Sequence, residues 1–154
     1  MEDDAPRLRF AFAARVRVGA AEELGETPHG RRRTIPILGG AVAGPRLAGT
    51  IRAGGADFQL IRRDGVAEIE ARYTIEAADG TLVAVVNRGL RHGPPETMAR
   101  LARGETVDPA GYYFRTAPTF DAPAGPHDWL GRALFLGLGE RLADEVRIRF
   151  FELL

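Results

Sequence analysis

From residue 7 to residue 18 the even positions read Leu8, Phe10, Phe12, Ala14, Val16 and Val18, while Arg7, Arg9, Arg15 and Arg17 occupy odd ones. Period two over this length predicts a long amphipathic strand with one wet face. Residues 20–33 are rich in Gly, Glu and Arg and read as a loop. Ile35, Ile37 and Val42 begin a second β region, punctuated by Pro36, Gly39, Gly40, Gly44 and Pro45, where proline suggests an edge or a bulge. Short strands follow at 47–52 and 56–62, then longer alternating ones at 66–77 and 81–88, with Asp64-Gly65 and Asp79-Gly80 between the last three. Asp-Gly between alternating segments is a strong hairpin signal, because both central residues of a type I′ turn need positive φ.

Pro94-Pro95-Glu96 opens a short helix through residue 103, with Met98 and Leu101 on its apolar face and Gly104 as a stop. Residues 112–120 form another strand, 128–134 a helical turn, and 145–153 a last strand with Val146, Ile148 and Phe150 in phase. Many short strands with Gly/Pro turns indicate an all-β antiparallel barrel of about eight to ten strands with one or two short helices. Residues 1–6 read as a flexible tail and 7–154 as one barrel domain.

The two hairpins allow a register to be computed. If Asp64-Gly65 is a two-residue turn, paired positions sum to 129, and if Asp79-Gly80 is another, to 159. One row across three strands is then Asp57, Arg72, Asn87, and the next is Gln59, Glu70, Gly89. Gln59 and Asn87 are the single Gln and single Asn of the chain. The polar rows either line a cavity or form a solvated outer face of ordinary cross-strand pairs. In a cavity, a carboxylate beside a guanidinium stays ionised while a second one nearby has its pKa raised, which acid–base chemistry requires.

Composition limits the chemistry. All 21 cations are arginine, and the chain has no lysine, cysteine or serine. A Schiff-base lysine, a Ser or Cys nucleophile, a cysteine-ligated metal and a phosphate-loop lysine are excluded. Net charge is zero, so nothing global favours nucleic acid or anionic lipid. No signal peptide or apolar run of spanning length is present, and a cytoplasmic location is expected. His29, His92 and His127 lie in loops without metal-ligand spacing, so no metal site is expected. Tyr113 and Arg115 share a strand face and could clamp a ligand, and Trp129 lies beside His127 and Asp128 either at a barrel mouth or as a plug on the barrel end.

The segments TIPILGG (34–40), GGADFQ (54–59), ARYT (71–74) before Asp79-Gly80, Asn87-Arg88-Gly89, YYFRT (112–116) and Trp129-Leu130 occur in this order along nearly the whole chain. Together they resemble a functionally uncharacterised bacterial and fungal family, the domain of unknown function family 3237. Phe58 stands where that family typically has Trp, and Gly131 where Asn commonly follows Trp-Leu. The resemblance implies a compact β-barrel, places Asp57, Gln59, Arg72, Asn87 and Tyr113 within signature segments, and supplies no reaction.

The expectation is therefore a barrel that binds a small, partly apolar organic ligand, with cofactor-free isomerase, cyclase or lyase chemistry if it is an enzyme. Asp57 or Glu70 would be the acid or base, Arg72 would set their pKa and bind an anionic oxygen, and Gln59, Asn87 and Tyr113 would orient the ligand, with Arg115 and Trp129 as further contacts. The alternative is a non-catalytic module that homo-oligomerises through an apolar sheet face.

Overall fold

The alternation at the start of the chain becomes β1 (Leu8–Val18), which pairs antiparallel with β10 (Glu145–Leu153) on one side and β3 (Gly30–Ala43) on the other. That double pairing closes a barrel. The computed structural model describes residues 4–154, and its other strands are β2 (Glu22–Thr27), β4 (Gly49–Ile51), β5 (Ala56–Ile61), β6 (Ala67–Ala77), β7 (Leu82–His92), β8 (Tyr113–Asp121) and β9 (Phe135–Arg141). One helix, α1 (Pro95–Ala102), and two 3-10 turns, Pro109–Gly111 and Asp128–Gly131, complete the described elements. Of the tail read at 1–6, residues 1–3 lie outside the described residues, and Asp4, Ala5 and Pro6 are exposed.

β3 explains how ten strands make an eight-stave barrel. Its first half pairs with β2 and β5, its second half with β1 and β4. β1 and β2 thus form one broken stave and β4 and β5 another, and the circuit continues through β6, β7, β8, β9 and β10. An eight-stranded barrel has an interior just wide enough for side chains to fill.

Two sequence expectations are corrected and one strand is added. The stretch 20–33 holds a hairpin, β2 and the start of β3, and because β2 buries no apolar side chain, hydropathy does not reveal it. β9 is a strand that alternates Phe135, Gly137 and Gly139 inward, and glycine hides the pattern. Within β1 a bulge between Phe10 and Phe12 buries Ala11 and turns Leu8 and Phe10 outward, although Phe12, Ala14, Val16 and Val18 keep the expected inward phase.

The interior is divided along its axis. At one end Phe12, Phe120, Phe135 and Phe150 interlock at centroid distances of 5.0 to 5.7 Å, mostly edge to face. Trp129 packs on Phe135 from the 3-10 turn and carries the Arg46 guanidinium 3.7 Å above its ring, plugging this end. At the other end α1 lies across the opening, with Met98 and Leu101 against Ile69, Val107, Tyr112 and Phe114. No helix among the described residues is long and apolar enough to cross a membrane.

Candidate functional site

The loops after β5 and β6 determine which side chains enter the barrel. Arg62 N–H donates to Val66 O at 2.9 Å and Ala77 N–H to Thr81 O at 2.8 Å, so each loop has three residues, with Gly65 (φ +88°) and Gly80 (φ +86°) at its left-handed third position. Paired positions therefore sum to 128 and 158, one less in each hairpin than a two-residue turn gives. A slip of one residue inverts a strand relative to its neighbour. Because both hairpins slip equally, β5 and β7 remain in phase and β6 alone is inverted.

The expected row Asp57–Arg72–Asn87 is accordingly Asp57–Ala71–Asn87, flanked by Ile35 on β3 and Pro118 on β8. The second row is Arg33, Gln59, Ile69, Gly89 and Thr116, and a third, nearer α1, is Arg31, Ile61, Ala67, Arg91 and Phe114. Successive rows lie roughly 7 Å apart along the strands. Asp57, Gln59 and Asn87 face the interior together. Glu70 and Arg72, assigned with them from the two-residue turn, face outward, where Glu70 pairs with Arg72 at 3.1 Å and Arg88 at 2.7 Å. Tyr113 and Arg115 also lie on the outer face of β8, where Tyr113 is exposed and stacks on His92. Trp129 belongs to the plug and does not line the interior site.

Several residues of the site have no place in the sequence expectation. Arg33, Arg91 and Arg141 converge at the mouth end, and Tyr73, Tyr112 and Thr116 bring hydroxyls inward. Arg91 could have been found by extending β7, since Val83, Val85, Asn87, Gly89 and Arg91 occupy one alternating set. Arg33 and Arg141 carry no such signal among 21 arginines.

A hydrogen-bond relay orders the polar core. Arg33 Nε donates to Gln59 Oε1 at 2.7 Å, Gln59 Nε2 donates to Asp57 Oδ2 at 2.6 Å, and the Glu70 backbone N–H donates to Asp57 Oδ1 at 3.2 Å. Burial nevertheless pushes the Asp57 carboxyl above the ordinary Asp range, against the opposing pull of Gln59, Arg91, the Glu70 amide and Arg33. Burial likewise pushes Arg91 down to about 10, with the Arg33 and Arg141 charges adding, and it remains a cation at neutral pH. The Arg141 backbone N–H donates to the Tyr112 hydroxyl at 2.9 Å.

Beside this relay stand polar groups without protein partners. Asn87 is 1% exposed, and neither its Oδ1 nor its Nδ2 has a hydrogen-bond partner among the described residues. The Tyr73 hydroxyl, Thr116 Oγ1 and Arg141 Nη1 are buried in the same condition. Buried polar atoms of this kind are uncommon in native proteins and mark a place where water or a ligand completes the structure. An inner cavity of about 30 Å³ touches Asp57, Gln59, Tyr73, Asn87 and Thr116. A mouth pocket of about 520 Å³ lies beneath α1, between Val18, Ile35, Met98 and Leu101, and shares Arg91 and Arg141 with the inner cavity. The two form one tapering site: a half-apolar chamber, a cationic throat and a polar tip. The chamber has room for a small organic molecule, and two amides and a carboxyl, groups able to hydrogen-bond and to exchange a proton, line its inner end.

The family model described as "Protein of unknown function (DUF3237)" matches residues 6–153. A UPF0311 protein of Rhodopseudomonas palustris is 43% identical over 146 residues, 95% of each chain. The crystal structure of a conserved protein of unknown function from that organism superimposes with a TM-score of 0.95 at 42% identity, covering 97% of this chain and 99% of that one. A β-barrel like protein from Acinetobacter baumannii gives 0.85 at 36% identity and 97% of each chain. More distantly, the "Hydroalkoxylation enzyme phnH" of Penicillium herquei is 30% identical over 80 residues, 52% of this chain and 53% of that protein. An enzyme of known structure from the same fungus shares the fold, with a TM-score of 0.72 at 20% identity over 97% of this chain and 95% of that one.

Proposed function

The chain belongs to the DUF3237 family of proteins of unknown function, and within that frame we propose that its barrel binds a small, partly apolar organic molecule and carries out cofactor-free acid–base chemistry on it. The observation that carries this reading is the Asn87 side chain, buried with both polar atoms unpartnered on the same small cavity as Asp57. An amide held this way costs stability unless something outside the protein completes it. Gln59 and Asn87 orient the ligand, and Asp57 is the residue that exchanges a proton with it. Glu70 and Arg72 have no part in this role, since both sit on the outer face.

Isomerisation, cyclisation, hydration and elimination all fit these groups. Hydroalkoxylation, the reaction for which the distant fungal relative is named, is one such cyclisation when it occurs within one molecule. Protonated Asp57 delivers its proton to one alkene carbon, the substrate hydroxyl oxygen bonds to the other, and the hydroxyl proton returns to the carboxylate. The O–H bond and the C=C π bond break while a C–H bond and a C–O bond form, with no net gain or loss of atoms. Incubation of 2-allylphenol in deuterated buffer tests this directly. The expected product is the closed cyclic ether with deuterium at the newly protonated carbon, formed by the wild type and lost in Asp57→Asn by a factor on the order of 100 to 10,000. Equal product with and without protein overturns the catalytic half of the proposal.

A second reading rests on the outer surface. Phe10, Phe151 and Leu136 form one row across β1, β10 and β9, with Phe10 and Leu136 both exposed. A row of this kind suits contact with a second copy of the chain. A monomer in analytical ultracentrifugation at micromolar concentration counts against it.

A further inference from the structure

The cationic throat narrows the ligand class, an inference that rests on the binding reading above. Arg33 and Arg141 lie close enough to depress the ionisation of Arg91, and Arg33 that of Arg141, while Asp57 is the carboxylate whose field reaches all three. Arg91 is 8% exposed and Arg141 is half-buried, yet neither forms a salt bridge with any carboxylate among the described residues. Arg33 has Glu23 at 4.0 Å, a distant and exposed partner. Arg141 Nη1 is moreover buried without a hydrogen-bond partner. Elsewhere on this barrel the pattern differs: Arg9, Arg15, Arg46, Arg88 and Arg103 each meet a glutamate within 2.8 Å. Arg31 adds one more cation at the rim, where Arg103 is already paired with Glu105, and Asp144 is the single carboxylate among the residues lining the mouth pocket.

Burying three guanidiniums around a single carboxylate, Asp57, is costly, and the cost is offset when an anion enters between them. Planar guanidiniums match a carboxylate in bidentate geometry, and charge-assisted hydrogen bonds are about twice as strong as neutral ones. We infer that the ligand is an organic anion, whose carboxylate sits in the throat between Arg91 and Arg141 while its apolar body lies against Met98, Leu101, Val18 and Ile35. The end remote from the carboxylate, or a hydroxyl beside it, then reaches Asp57 and Asn87. Burial lowers the Arg91 ionisation only to about 10, so the throat stays charged across the physiological range.

The probes are 2-naphthoate and its uncharged amide, 2-naphthamide. The mouth pocket of about 520 Å³ exceeds the roughly 150 Å³ that suffices for a benzene ring. Titration at low chloride, followed by protein NMR, should give 2-naphthoate a Kd at least tenfold lower than 2-naphthamide. Arg91→Met and, independently, Arg141→Met should each remove that preference. Each replacement keeps an unbranched apolar stem and withdraws a cation that has no salt bridge, so melting temperatures should stay level or rise, which separates a lost site from a lost fold. Equal affinity for the two probes, or a preference unchanged in both variants, overturns the anion inference and leaves the binding reading standing. Failure of both probes to bind the wild type overturns the two together.

Discussion

Asn87→Leu should raise the unfolding free energy by about 1–3 kcal/mol and the melting temperature by several degrees, the reverse of what replacing a fully buried β-strand residue ordinarily does. Leucine has the same branching and the same number of heavy atoms as asparagine, so the barrel wall keeps its shape. What changes is polarity. Two buried atoms that make no hydrogen bond with the protein give way to two methyl groups facing Ile69, Ala71 and Ile148 across a small cavity. If the amide existed to support the fold, its loss would destabilise. The expected gain, read from urea denaturation, would mark Asn87 as retained at the expense of stability, the usual sign of a functional group. Binding of 2-naphthoate should weaken in the same variant, since the tip of the site loses its donor and acceptor.

Phe12→Ala should act oppositely, lowering stability by about 3–5 kcal/mol. Phe12 is wholly buried and meets Phe120 at 5.6 Å and Phe150 at 5.0 Å. Its removal opens a void in the tightest part of the interior, where the neighbouring rings are fixed by Phe135 and by the Trp129 plug. At about 2–4 °C per kcal/mol for a chain of this size, the melting temperature should fall by roughly 10 °C. None of these residues lines the mouth pocket or the inner cavity. The Kd for 2-naphthoate measured on the folded fraction should therefore stay unchanged. One end of the barrel supplies stability and the other carries the site, and these two variants separate them.

How much of this was legible in the sequence depended on loop length more than on strand pattern. The strands at 66–77 and 81–88 and the helix after Pro94 stand nearly where alternation and proline place them. The Asp-Gly pairs do mark hairpins, but each glycine closes a three-residue loop, and the extra residue shifts the register by one. Asp57, Gln59 and Asn87 survive as a group because two equal slips cancel between β5 and β7. Glu70 and Arg72 do not, because β6 takes the whole inversion. The alternation of Ile69, Ala71, Tyr73 and Ile75 fits a strand with its apolar side inward, whereas on β5 the apolar Phe58 and Leu60 are the residues turned out. No hydropathy argument resolves that conflict, since β5 buries its polar side. The arginine throat was illegible for a related reason: Arg33, Arg91 and Arg141 come from three strands far apart in sequence, and only closure of the barrel brings them together.

The chain has one glutamine and one asparagine, and both face the interior site. A ¹H–¹⁵N correlation spectrum of the uniformly labelled protein therefore contains two side-chain amide pairs, both reporting on the site, and one indole signal, from Trp129 in the opposite plug. Adding 2-naphthoate should shift both amide pairs and leave the indole in place. Amide signals that stay fixed while the indole or the outer-face residues of β5 to β7 respond would contradict an interior site at Asp57, Gln59 and Asn87.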